Sequence, residues 1–244
     1  MKSLYLKELS IFFTSIIGPL IIGTFLLINS ILLWTEISEV NLIENPYASM
    51  DTFFTISPII LLIFIPALGM RTFSEEYNYG TIENLITKPI TVLQITFVKF
   101  LSILTLVSIS ILPTLIYVYT IYILGESENT LDLGGIIGSY LGLLLYSSII
   151  SSISIFCSSF NNNQIISFLL SVFISIIMYF GFEILGDLPV IQPFSSIIKK
   201  IGIMYHYNMI SKGVIILSDM IYFISISLMF IKLTEFIILN KLNR

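Results

Sequence analysis

Apolar runs of about 20 residues, separated by short polar stretches, make up most of this sequence. A run of that length crosses the ~30 Å hydrocarbon layer of a membrane as an α-helix, because each residue adds about 1.5 Å. Soluble domains are about one quarter charged, whereas only 11% of these residues are charged and 56% are hydrophobic. We therefore predict an all-α membrane protein.

We predict six membrane-spanning helices in one transmembrane domain, residues 1–244. The expected spans are 11–33, 53–70, 96–124, 133–157, 164–185 and 219–239. Lys99 lies near the start of the third run, and we expect its side chain to extend towards the lipid headgroups. Residues 1–10 fit either a short helix on the membrane surface or a plain charged flank. In the fourth run, Gly138-x-x-x-Gly142 has the spacing of closely packed helices.

Six spans place both termini on the same side of the membrane. Eight of the eleven lysines and arginines would lie on that side, and the exceptions are Lys199, Lys200 and Lys212. Positive residues favour the cytoplasmic side. We therefore expect the N and C termini to be cytoplasmic, together with the stretch between the second and third spans.

That stretch, residues 71–89, is the most charged part of the chain between two apolar runs. Thr72 and Glu75 have the spacing of a capping box at a helix start. Gly80 can adopt the left-handed conformation that ends a helix, and Pro89 cannot continue one. The sequence therefore predicts two short, kinked helices that form a docking element at a membrane face.

The segment 187–218 is the longest break between predicted spans. Apolar residues recur there at helical spacing, while Lys199 and Lys200 fall on the other side. These apolar residues are Phe194, Ile197, Ile198, Ile201 and Tyr205. The pattern favours an amphipathic helix in the membrane interface, and a surface loop with one helical turn is the alternative.

The sequence lacks the motifs and charge patterns of several functional classes. There is no P-loop, so we do not expect ATP hydrolysis by the chain itself, and no basic stripe indicates nucleic-acid binding. Ionisable residues are rare within the predicted spans, which disfavours an ion-coupled carrier. The single histidine, His206, and the single cysteine, Cys157, are interpreted as structural residues. No cluster of residues suggests an intramembrane enzyme.

The pattern Glu76-x-x-x-Gly80-Thr81-x-Glu83-x-Leu85 resembles the cytoplasmic signature of ABC-2-type transporter permeases. Residues 206–222 are similar to the stretch before the last span in that family. Length and span number most resemble the gliding-motility-associated permease subunits of Bacteroidota (GldF-like). A departure occurs at 216–218, where many members carry an acidic residue.

This resemblance implies a six-helix ABC-2 (type V exporter-like) permease fold in a bacterial inner membrane. The chain would form a translocation pathway, pair with a second permease half, and be driven by a cytoplasmic ATPase subunit that binds the ATP. It would need no cofactor itself. A link to gliding motility or export is a further implication. The alternative function is a non-transporting membrane scaffold or anchor for secretion or motility machinery.

The resemblance also assigns two groups of residues. The residues expected to couple the spans to the ATPase subunit are Arg71, Phe73, Glu75, Glu76, Tyr77, Gly80, Thr81, Glu83 and Leu85. Among them, Arg71, Glu75 and Glu76 would form a salt-bridge network. The residues expected in an extracytoplasmic cap over the pathway are Phe194, Ile198, His206, Lys212 and Gly213.

Overall fold

A computed structural model describes residues 1–35, 49–82, 89–124, 132–213 and 216–242, and within these ranges the chain is helical without β-strands. The α-helices are α1 Lys2–Thr14, α2 Ile17–Trp34, α3 Asp51–Gly69, α4 Arg71–Asn78, α5 Val92–Ile111, α6 Leu115–Leu124, α7 Leu133–Phe160, α8 Gln164–Ile176, α9 Phe182–Gly186, α10 Ser195–Lys199, α11 Ile203–Ser211 and α12 Leu217–Leu242. Two 3-10 helices cover Leu112–Thr114 and Pro189–Phe194, and a π-helical turn covers Ile177–Gly181.

Six helical stretches within the described ranges are long and apolar enough to cross a membrane. They are Ile17–Trp34, Asp51–Asn78, Val92–Ile123, Leu133–Phe160, Gln164–Gly186 and Leu217–Leu242. This confirms the predicted all-α fold with six candidate transmembrane helices.

The N-terminal residues form a helix that is separate from the first span. Ser15 is extended and ends α1, so the candidate span begins at Ile17 and not at residue 11 as predicted. Leu4, Glu8 and Phe12 repeat every four residues, and all three are buried. That face of α1 packs against α2 and α5.

Helix α7 lies at the centre of the bundle and contacts α3, α4, α5, α8, α11 and α12. In its most apolar window 78% of the residues are buried, against 22% for the stretch Gln164–Gly186. Serines and glycines are frequent on α7, and their small side chains allow several helices to approach it closely.

Helix α4 continues the direction of α3, because Met70 between them keeps helical backbone angles. The 19 residues of α3 are about 28 Å long, which is close to the hydrocarbon thickness. The eight residues of α4 therefore extend beyond a layer of that thickness, and we expect Arg71, Glu75 and Glu76 to lie at the membrane boundary.

The two ends of the bundle contain different elements. The amino group of Lys241, near the end of α12, donates to the carbonyls of Ser159 and Phe160 at 2.8 Å each, which brings α12 to the end of α7. Helices α1 and α4 lie at this same end, hereafter the α4 end. Helices α10 and α11 lie at the opposite end, hereafter the α11 end.

The α11 end differs from the single amphipathic helix expected over part of 187–218. Pro189 and Pro193 confine the first part to a 3-10 helix, and α10 ends before Gly202, whose backbone is extended. The chain therefore forms three short helical pieces instead of one helix. Phe194 and Ile197 are both more than 60% exposed on the bundle surface, and the prediction that they lie in the membrane interface stays a prediction.

The glycine motif of α7 packs within the chain. A Cβ atom at Gly138 would lie 2.8 Å from the carbonyl oxygen of Ile210, and one at Gly142 would lie 3.2 Å from the Ile210 side chain. Helix α11 thus rests directly on α7 at these two glycines.

Candidate functional site

Helix α4 is fixed to the bundle by hydrogen bonds from its buried face. The hydroxyls of Thr72 and Ser158 are 2.8 Å apart, and the Ser74 hydroxyl donates to the Ser158 carbonyl at 3.1 Å. The Ser74 and Ser167 hydroxyls are 2.7 Å apart. These contacts attach α4 to the end of α7 and to the first turn of α8.

A buried cluster of charges joins α4 to α1 and α5. The Nζ atom of Lys99 lies 2.7 Å from Oε1 of Glu76 and 3.3 Å from Oε1 of Glu8, and it donates to the Thr72 carbonyl at 2.8 Å. An ammonium group has three hydrogens to donate, so these three acceptors use all of them. The side chain of Lys99 is 1% exposed. The prediction that it extends towards the headgroups is therefore wrong.

The cluster has one more carboxylate than cation, counting Lys99 against Glu8 and Glu76. Oε2 of Glu76 is buried and has no hydrogen-bond donor among the described residues. An acceptor left in this state is destabilising by itself. The arrangement is stable because Lys99 offsets the charge of both carboxylates at short distance.

Arg71 and Glu75 form a separate pair. Nε and Nη2 of Arg71 donate to the two carboxylate oxygens of Glu75 at 2.9 and 3.1 Å. The predicted network of Arg71, Glu75 and Glu76 is thus divided in two, since Glu76 turns inwards to Lys99.

The predicted capping box at Thr72 and Glu75 does not form. α4 follows α3 almost without interruption, so its first amides already have helical partners, and the Thr72 hydroxyl donates back to the Gly69 carbonyl at 2.7 Å. A capping box with that geometry occurs instead at Thr91 and Gln94, where α5 begins after a true break in the helix.

The exposed end of α4 is a sharp turn. Gly80 has φ +66°, its amide donates to the Tyr77 carbonyl, and the Thr81 amide donates to the Glu76 carbonyl at 2.9 Å. This pair of bonds is a Schellman motif, which requires a residue in the left-handed conformation. Gly80 therefore ends the helix as predicted, and the turn presents Tyr79, which is 73% exposed.

The predicted coupling residues divide into buried and exposed groups. Phe73 is 1% exposed and packs below Lys99, with Nζ 5.1 Å from its ring centre. Tyr77 is partly buried beneath the Lys241 ammonium, at 4.1 Å. These two rings stabilise α4 from inside, whereas residues 78–81 at the end of α4 are exposed. Glu83 and Leu85 lie outside the described residues.

The residues predicted as a cap lie at the α11 end without forming one site. Phe194 is 62% exposed and Ile198 is partly buried. Lys212 and Gly213 follow α11, where Gly213 has φ +77° and a Cβ atom there would lie 3.3 Å from Gly135.

His206 connects α11 to neighbouring segments. Its Nδ1 lies 2.7 Å from Oδ1 of Asp219, its Nε2 donates to the Lys200 carbonyl at 2.8 Å, and its ring stacks on Tyr222 at 3.9 Å. This agrees with the structural role expected for the single histidine.

A second ion pair at this end joins α10 to α9. Nζ of Lys199 lies 2.6 Å from Asp187 and 3.0 Å from Glu183. The hydrogen bond to Asp187, followed by that to Glu183, raises the pKa of Lys199 above its ordinary value. The amine therefore stays charged throughout the neutral range.

Sequence reasoning did not identify Glu8, Lys99 and Tyr79 as parts of the site. Lys99 carried a usable signal, because one charge within an otherwise apolar run is expensive in a membrane unless it is paired. Glu8 and Tyr79 carried none, since the partner of Glu8 is 91 residues away and Tyr79 is exposed only because Gly80 turns the chain.

A comparison with known protein families matches most of this sequence. The family model described as ABC-2 family transporter protein matches residues 4–178, which include most of α1, all of α4 and Lys99. A comparison with curated proteins gives no match.

Proposed function

Because the chain belongs to the ABC-2 family of transporter proteins, we propose that it is the membrane permease subunit of an ABC transporter. It forms a translocation pathway with a second permease half, which is another copy or a relative. A separate cytoplasmic ATPase subunit binds ATP and supplies the free energy. Within this family we place the chain nearest the GldF-like permeases linked to gliding motility.

One observation carries this proposal: α4 exposes its tip while its inner face is bonded to the rest of the bundle. Tyr79 is 73% exposed at the tip, and tyrosine is a frequent anchor at protein interfaces. On the inner face, Lys99 and Ser158 connect α4 to α1, α5 and α7. A partner that displaces the tip would pull on these helices through those bonds.

The distribution of positive charge supports a cytoplasmic α4 end. Lys2, Lys7 and Arg71 belong to helices of that end, as do Lys232 and Lys241 on the second half of α12. Positive residues near span ends favour the cytoplasm. We therefore place the protein in a bacterial cytoplasmic membrane with α4 facing the cytoplasm.

The first test is purification of the chain from native membranes under mild conditions, followed by identification of the bound proteins. We expect an ATP-binding subunit with a P-loop and, after crosslinking, at least two permease chains in each complex. A complex without ATPase activity would contradict the proposal and would favour the scaffold function.

The second test compares Tyr79→Ala with Tyr122→Ala in the purified complex. Both tyrosines are more than 60% exposed, at 73% and 64%, but only Tyr79 lies on the α4 tip. Loss of an interface anchor costs about 2 kcal/mol or more, so we expect Tyr79→Ala to weaken binding of the ATPase subunit at least roughly tenfold. Equal binding of the ATPase subunit by the two variants would show that the α4 tip is not part of the interface.

A further inference from the structure

Pro58 leaves one carbonyl of α3 without its helical donor. A proline has no amide hydrogen, so the carbonyl four residues earlier cannot accept the usual bond. In α3 that carbonyl belongs to Phe54, and its residue is buried. A buried carbonyl without a donor is unfavourable, particularly in lipid.

A side chain from the α11 end supplies the missing donor. The hydroxyl of Tyr207 donates to the Phe54 carbonyl at 2.7 Å across 153 residues of sequence. Tyr207 is 2% exposed, and therefore water does not compete for this bond. The Tyr207 side chain therefore connects α11 to the turn of α3 that the proline weakens.

Tyr146 holds the same turn from α7, and its ring joins Tyr207 to Tyr179. The Tyr146 hydroxyl on α7 donates to the Pro58 carbonyl at 2.9 Å. Its ring centre lies 6.0 Å from that of Tyr207 and 5.4 Å from that of Tyr179. Tyr179 belongs to the π-helical turn that interrupts the fifth span, and such turns often occur at functional sites.

We propose that Pro58 is a hinge in α3 and that Tyr207 is the positioning residue that holds this hinge in the conformation seen here. Release of the Phe54 carbonyl lets α3 bend at Pro58, and because α3 continues into α4, the α4 tip moves relative to α7. Helix α11 at one end of the bundle thereby controls the position of α4 at the other.

The hinge is a property of this chain by itself, whereas its use in a transport cycle depends on the proposed function. Opening at the α11 end would then be linked to movement of the ATPase subunit at the α4 end. The test below uses the chain without any ATPase subunit, so its failure is distinguishable from failure of the transporter assignment.

The experiment measures the distance between spin labels at Tyr79→Cys and Leu133→Cys in lipid nanodiscs, with Cys157→Ala as background. Tyr79 is on the α4 tip and Leu133 begins α7 at the α11 end, and both are exposed. The chain with Tyr207 intact should give one dominant distance population and at most a minor second one. Tyr207→Phe keeps the ring and removes the donor, which should increase a second population about tenfold.

Two further variants separate a hinge from a general loss of packing. Tyr146→Phe also removes a buried hydroxyl, but its acceptor, the Pro58 carbonyl, can still bond the Leu62 amide in the helix. We therefore expect this variant to keep a single population. Pro58→Ala restores an amide for the Phe54 carbonyl, so Tyr207→Phe should have no effect on the distances in that background.

Two results would overturn the proposal: an unchanged distance distribution in Tyr207→Phe, or a second population that persists when Pro58→Ala is added. If Tyr207→Phe alone does not fold, the variant that combines Tyr207→Phe with Pro58→Ala tests the hinge. A folded double variant with one distance population supports the hinge, and a double variant that also fails to fold contradicts it.

Discussion

The ammonium of Lys99 lies 2.7 Å from the carboxylate of Glu76, and the two side chains are only 1% and 13% exposed. Their helices are joined a second time through Glu8 on α1. Breaking a buried ion pair by removing one partner is strongly destabilising, because the other charge remains without compensation. The cluster therefore binds three helices of the α4 end into one unit.

Replacing Lys99 should show how far the stability of the fold depends on this buried cluster. We expect Lys99→Met to lower the free energy of unfolding by about 3–5 kcal/mol, because Glu8 and Glu76 lose their shared cation. Adding Glu8→Gln and Glu76→Gln should recover much of that loss. The measurement is the temperature at which a fluorogenic thiol reagent labels Cys157, the single cysteine, which is buried.

Lys232→Met is the matched control for Lys99→Met. Lys232 also pairs with a glutamate, Glu235, at 2.9 Å, but its side chain is 63% exposed. A pair outside the packed interior of the bundle is expected to contribute much less to folding, about 1 kcal/mol at most. Similar losses for the two lysine variants would mean that the buried cluster has no special role.

Gly138→Ala should destabilise the contact between α7 and α11. The added Cβ would lie 2.8 Å from the Ile210 carbonyl, and overpacking of this kind costs about 1–3 kcal/mol. Gly23→Ala is the control, since a Cβ there meets nothing within 4 Å and should stabilise α2 by about 0.5–1 kcal/mol. The same Cys157 labelling assay measures both, and stabilisation by both variants would contradict the packing at Gly138.

The stability of the turn at Gly80 should depend on how well the residue at this position tolerates a positive φ angle. Gly80→Val forces a branched side chain into the left-handed region at a cost of about 1–2 kcal/mol, whereas Gly80→Asn tolerates it better. We expect hydrogen exchange at the Thr81 amide to be about tenfold faster in Gly80→Val. Equal exchange in the two variants would show that the left-handed turn is dispensable.

The two ends of the bundle should react with a membrane-impermeant thiol reagent from opposite sides. In a Cys157→Ala background, Lys212→Cys should be labelled in intact cells because it lies at the α11 end. Tyr79→Cys should be labelled only after the membrane is opened. Labelling of Tyr79→Cys in intact cells would contradict the proposed orientation, because the α4 tip would then face the outside of the cell.

Local features of this protein were accessible from its sequence because they depend on few neighbouring residues. Apolar runs predict spans by length alone, and Gly80 predicts a helix end because glycine enters the left-handed region without strain. The capping box at Thr72 and Glu75 failed for a reason that spacing does not contain: α3 continues into α4 and leaves no free helix start.

Contacts between distant residues required the folded chain. Lys99 was visible as an isolated charge, but its partner Glu8 is 91 residues away. Tyr207 had no feature in the sequence that connected it with Pro58. The packing of α11 on α7 places its hydroxyl within reach of the Phe54 carbonyl. The spacing of Gly138 and Gly142 predicted close helix packing, but it did not indicate that α11 would be the packed helix.

The sequence by itself determined that the chain is a bundle of membrane-spanning helices with a charged stretch between the second and third, because length and hydrophobicity act segment by segment. Tertiary structure alone decided which charges are buried together and which surface of α4 remains exposed. The physical reason is that pairing in a medium of low polarity depends on distances of a few ångströms between helices, and those distances follow from packing around α7.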